Sequence, residues 1–265
     1  MTPVTRAQRI YCAAVGLFAL WVGIWGFFVP AEVERALPWK VPPLHARFLG
    51  SVYFSAAVML FGGMLARVWA EVRAVVLLVG IWTGWLLVVS LFHLDQFDAG
   101  HKPVWFWFFA YIVYPLVAAF WVWRHRHDRE SASGAALPDW ARRLFQVFGA
   151  LFLVLAAAML LGPQAMAELW PWKITPLLVQ IYSAPFLAYG VASFTLSRAR
   201  TWPEVRWVVI GALVFATGVL VASFIHRSLF TASRPATWIW FGGFVLLFTL
   251  LSWMVARLPR HGVAA

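Results

Sequence analysis

Two histidines, His93 and His226, stand at the same place in a pattern that the chain carries twice. Ser90, His93, Phe97, Ala99, Trp105, Trp107 and Phe108 return as Ser223, His226, Phe230, Ala232, Trp238, Trp240 and Phe241, at a constant offset of 133 residues. Two neutral imidazoles brought face to face could ligate a haem iron or another metal. A histidine at a helix end could instead hydrogen-bond a loop carbonyl, or Ser90 and Ser223 one turn earlier. Haem is thus the candidate cofactor for His93 and His226, against a general expectation of no cofactor and no metal. Asp95 and Asp98 lie near His93 and His101, but the corresponding positions of the second copy are Ser228 and Thr231. A metal held there would have no repeated counterpart.

A second repeated motif is Pro38-Trp39-Lys40, which returns as Pro171-Trp172-Lys173. A lysine beside an indole could hold the anionic end of a ligand. The same three residues could equally form a proline-stiffened turn with a snorkelling lysine. Trp105 and Trp238 fall at helix beginnings, where indoles favour the membrane interface or could line a vestibule for an apolar ligand. Residues two apart on a helix point to different faces, so at most one tryptophan of each Trp-x-Trp pair could do so. The candidate ligand-binding set is therefore Trp39, Lys40, Trp172, Lys173, Trp105 and Trp238.

The elements that must position these residues are membrane spans. With 63% hydrophobic and 12% charged residues and a mean hydropathy of +0.80, the chain is too apolar for a soluble domain. A spanning helix needs roughly 20 apolar residues, which predicts spans near 10–29, 47–66, 73–93, 104–123, 143–162, 176–197, 206–226 and 237–256. Arg6 and Arg9 precede the first run, which reads as a retained span rather than a signal peptide. The predicted fold is an all-α, polytopic transmembrane bundle of eight helices, made of two tandem four-helix repeats in parallel orientation. Residues 1–124 form the first repeat, 125–140 a polar linker and 141–265 the second.

The net charge of +11 sits in short loops, which reads as a topology signal rather than a nucleic-acid surface. Fourteen of the 21 Lys and Arg residues fall on the side of the termini and linker, seven on the other. Both termini are therefore expected to be cytoplasmic, in a bacterial inner membrane. The loops Arg67, Trp69, Glu71, Arg73 and Arg200, Trp202, Glu204, Arg206 read as structural anchors, each glutamate having arginines within ion-pair reach. No Asp, Glu or Lys occupies the middle of any span, which argues against an ion-coupled pump. The single cysteine, Cys12, excludes an intramolecular disulfide.

The run from Pro38 to Gly50, with its Pro-Trp-x-x-x-Pro-Leu loop, resembles uncharacterised multipass membrane proteins of high-GC bacteria. Arg47 followed by Gly50 is also similar to the second helix of DoxX-like membrane proteins. That resemblance implies a four-helix unit, here duplicated, and carries no catalytic residue over. The chain departs from the DoxX-like pattern at Val52 and Tyr53, and its second copy has Gln180 where the first has Arg47. The functional expectation is a non-enzymatic protein that binds, or passes without ion coupling, an apolar or lipid-like ligand on the extracytoplasmic side between its repeats. The alternatives are an accessory subunit packed on a membrane-protein partner, and a haem-bearing redox protein.

Overall fold

The computed structural model describes residues 1–38 and 41–258; of the sequence candidates, Trp39 and Lys40 lie outside the described residues. Among the described residues nine α-helices follow one another: α1 (Arg6–Phe28), α2 (Pro43–Leu65), α3 (Trp69–Phe92), α4 (Lys102–Arg124), α5 (Asp139–Leu161), α6 (Pro163–Leu169), α7 (Pro176–Leu196), α8 (Arg206–Ile225) and α9 (Pro235–Arg257). All except the short α6 are long and apolar enough to cross a bilayer. The protein is an all-α polytopic membrane bundle.

Several helices begin about four residues before the apolar run that betrays them, because capping rather than hydropathy decides where a helix starts. At α1, Thr5 Oγ1 accepts from the Gln8 amide at 3.3 Å while Gln8 Oε1 accepts from the Thr5 amide at 2.8 Å. This reciprocal box satisfies two donors that the first turn would leave bare. Prolines in the first turn start α2, α4, α7 and α9, where the missing N–H costs nothing. The early start of α2 places His45 and Arg47 on the helix itself.

The 133-residue offset relates several element bounds. It maps the ends of α1 onto those of α5, and of α4 onto those of α9. It also maps small contacts onto one another. The Val4 amide donates to Arg67 O at 3.0 Å and the Leu137 amide to Arg200 O at 2.8 Å; the Trp69 amide donates to Thr2 O at 2.9 Å and the Trp202 amide to Ala135 O at 2.8 Å. The turn Pro30–Arg35 is 3-10 where α6 is α-helical.

The repeats are interlocked. α2 packs chiefly on α1 and on α8, while α3 packs chiefly on α4 and on α7. The first helix pair of each copy therefore rests on the last pair of the other. Small residues allow the approach of α8 to α2: a methyl at Gly211 would meet Met59 Cγ at 2.4 Å, and one at Gly218 would meet Ser51 Oγ at 2.6 Å. Such residues at helix contacts are the usual route to close packing in lipid. The equivalent positions on α3 are Leu78 and Trp85, so the α3–α7 contact is built from larger side chains. There the Trp85 indole donates to Ser183 Oγ at 3.0 Å.

On the face where α1 begins and α9 ends, two reciprocal ion pairs join the repeats. Arg73 Nη2 lies 2.5 Å from Glu204 Oε2, and Arg206 Nη2 lies 2.6 Å from Glu71 Oε2. Sequence proximity suggests pairing within each loop; the folded chain pairs each glutamate with the other copy's arginine.

Candidate functional site

The opposite face collects the repeated histidines. His93 terminates α3 and His226 terminates α8. His93 Nε2 lies 2.6 Å from Gln180 Oε1. The Gln180 amide nitrogen donates to Leu160 O at 3.1 Å, so its oxygen faces the ring and His93 Nε2 is the donor. His226 Nε2 lies 2.7 Å from Arg47 Nη1. A guanidinium only donates, so His226 accepts and is neutral. Burial and the neighbouring Arg47 charge both hold its pKa below 6.5. Gln180 is the second-copy equivalent of Arg47, so each histidine is engaged from the other repeat, with donor and acceptor roles reversed. Both Nε2 atoms have separate partners, and joint ligation of an iron would require both to leave them. Ser90 and Ser223 are used otherwise: each Oγ accepts from a tryptophan, Trp107 and Trp240, at 2.9 Å.

His45 is a functional-looking residue that repeat logic passes over, because its counterpart is Leu178. Its Nε2 donates to Lys173 O at 3.1 Å and its Nδ1 accepts from the Tyr182 hydroxyl at 2.8 Å. The ring thereby ties the Pro-Trp-Lys turn of the second copy to α2. The available signal was a polar residue in the first turn of an apolar helix. Further polar links cross the bundle between Ser55 Oγ and the Tyr189 hydroxyl at 2.6 Å and between the Tyr53 and Tyr111 hydroxyls. The offset converts none of these tyrosines into a tyrosine, so the repeat does not mark them.

The sequence candidates for ligand contact are dispersed. Trp172 is 3% exposed and stands edge-on to Trp240 at 4.7 Å, with His45, Trp170 and Phe230 around it. Lys173 beside it is exposed. Trp105 and Trp238 are 68% and 66% exposed, and each indole donates at 2.8 Å to the carbonyl of Ala99 or Ala232. Their partners Trp107 and Trp240 are buried, as two-residue spacing on a helix requires. Compared with protein-family models, curated proteins and solved structures, the chain matches none.

Two openings lie on this face. A cleft of about 270 Å³ between the repeats is walled by Val41, Pro42, Val89 and Phe97 from the first and by Thr175, Leu177 and Ile181 from the second. A larger groove, about 980 Å³, runs between α1 and α4. Its walls are Leu17, Phe18, Trp21 and Phe106, and its rim carries Arg35, His101 and Lys102. Phe18 and Phe106 pack against each other in its wall, their rings tilted by 50° with centroids 4.7 Å apart. His101 Nε2 donates to Glu34 O at 3.0 Å, bracing the rim. Arg35 pairs with Glu32 at 2.7 Å and lies over Trp25. Lys102 makes no ion pair among the described residues.

Proposed function

We propose that this integral membrane protein holds a lipid-like amphiphile in the α1–α4 groove, with its apolar part against Leu17, Phe18, Trp21 and Phe106 and its anionic end at Lys102 and Arg35. The observation that carries this reading is the groove's layering: an aromatic and aliphatic wall at membrane depth beneath a basic rim. Its volume falls at the top of the range for small-molecule sites, about 300–1,000 Å³. The excess of arginine on the terminal face supports an extracytoplasmic position for the groove. The reading is one of binding, with the free Lys102 ammonium as the orienting charge and lateral entry from the bilayer.

The test is native mass spectrometry of the full chain extracted gently from its own membranes. A fixed mass increment on the 29.9 kDa chain, present in wild type and lost in both Lys102→Ala/Arg35→Ala and the groove-filling Leu17→Trp, is the expected result. An increment unchanged in both variants refutes the groove as its site. Bare chain, or chain held with other subunits, favours the role of accessory subunit instead.

A further inference from the structure

On the terminal face a cleft of about 630 Å³ opens between the ends of α3, α4 and α7 and the polar linker. Five arginines line it, Arg73, Arg126, Arg129, Arg198 and Arg200, against one carboxylate, Asp128. That carboxylate is already taken by His125 Nδ1 at 2.7 Å, which holds its pKa below the ordinary range. Arg73 is bound to Glu204 and Arg126 lies over Trp123. Arg129, Arg198 and Arg200 have no carboxylate partner among the described residues. Three uncompensated guanidiniums converging on one cavity repel one another unless an anion sits among them.

Basic residues on this face also serve topology, but topology counts charges and does not require them to surround a void. Comparison of the repeats separates the two roles. The offset takes Trp207 to Ala74 and Gly62 to Thr195. In one half the Trp207 indole lies on Gly62, so closely that a methyl there would meet its Cδ2 at 2.1 Å. In the other half the indole is replaced by a methyl, and Thr195 lines the open cleft instead. Among the described residues the charge follows the opening: Arg198 stands where the filled half has Leu65. One half of the pseudo-symmetric chain has gained space and positive charge together.

We infer that this cleft is a binding site for a phosphate-bearing ligand, with Arg129, Arg198 and Arg200 on the phosphate oxygens and Leu77 and Val122 against its apolar part. Guanidiniums suit phosphate because their planar donors engage its oxygens in pairs. An anionic phospholipid headgroup and a soluble organic phosphate share this chemistry, and basic pockets between membrane helices are known headgroup sites. The inference concerns the other face of the protein and does not depend on the groove between α1 and α4.

The experiment titrates the full chain in detergent with cardiolipin, phosphatidylglycerol, phosphatidylcholine and inorganic pyrophosphate, reading bound adducts by native mass spectrometry. Wild type is expected to prefer the anionic probes to phosphatidylcholine. Arg198→Ala/Arg200→Ala, both exposed positions, is expected to weaken that binding about 25-fold, roughly fivefold for each charge removed. Ala74→Trp/Thr195→Gly copies the filled half into the open one and leaves every charge in place; it is expected to abolish the preference. Binding displaced by pyrophosphate identifies a soluble phosphate as the occupant, and binding seen only with lipids identifies a headgroup. Unchanged binding in the charge-neutral filling variant reduces the effect to general surface attraction and overturns the site. So does the absence of any preference in wild type, or an undiminished affinity in Arg198→Ala/Arg200→Ala, which decides the matter if the filling variant fails to fold.

Discussion

Removing the Arg73 side chain leaves the Glu204 carboxylate, itself 1% exposed, with only the Thr201 hydroxyl at 3.1 Å as a side-chain partner among the described residues. Breaking a buried pair from one side costs about 3–5 kcal/mol, because the remaining charge has lost both its counter-ion and its water. The Arg73 side chain is 23% exposed, so solvent screens part of the attraction and the lower end, about 3 kcal/mol, is the working figure for Arg73→Ala. Neutralising the carboxylate in the same chain, Arg73→Ala/Glu204→Gln, removes the stranded charge and is expected to return most of that loss, leaving a deficit of about 1 kcal/mol. The assay is equilibrium unfolding of the purified protein in mixed micelles, followed by tryptophan fluorescence, with Glu204→Gln completing a double-mutant cycle. If the two single effects add to within about 0.5 kcal/mol, the pair behaves as an ordinary surface contact and its role as a clamp between repeats is refuted. Arg206 and Glu71 provide the internal replicate, with a smaller effect because both side chains are more exposed, at 33% and 8%.

Acidification tests the opposite face. Because the folded pKa of His226 lies below 6.5, its contribution is present in full above that value and is lost as the pH falls through the folded pKa, where an imidazolium would face Arg47. Stability measured from about pH 7.5 down to about pH 5 is expected to fall less steeply in His226→Gln, which keeps an acceptor for Arg47 but does not titrate; superimposable curves would show that the pair carries none of the pH dependence. At the crossing of α1 and α2, a methyl at Gly50 would meet the Phe27 amide nitrogen at 2.6 Å, a backbone contact that cannot rotate away. Gly50→Ala is therefore expected to cost about 1–3 kcal/mol, whereas Gly242→Ala, which meets nothing within 4 Å, is expected to leave the unfolding midpoint unchanged or raised.

The spans were legible because about twenty apolar residues in a row have few other uses, and the glutamates near Arg67 and Arg200 were legible as anchors. Their partners were not. Hydropathy marks which residues lie in lipid and says nothing of which helix lies beside which, so pairing of Glu71 with Arg206 rather than with its own loop appears only in the packing. Gln180 shows the same limit at one position. Read along the chain it is an arginine lost from the second copy, whereas in the fold it is the acceptor that makes His93 a donor where His226 is an acceptor. Trp172 and Trp105 both read as candidate ligand contacts, yet the Trp240 ring buries one and the α4 surface exposes the other. The α1–α4 groove draws its walls from residues more than eighty positions apart, a distance at which no local pattern can announce a cavity.

The interlocked halves bear on how such a chain is made and on how its copies can diverge. Since α2 rests on α8 and α3 on α7, while α2 barely touches α3, each helix pair finds its partner pair only when the other half has entered the membrane, and the early pairs must wait for the late ones during synthesis. The arrangement is also that of two identical subunits exchanging helix pairs about a shared axis. In such a homodimer every substitution would act twice. Two copies carried in one chain are free to differ, and Trp207 and Ala74 show what that freedom permits: one seam sealed, the other left open and lined with arginine.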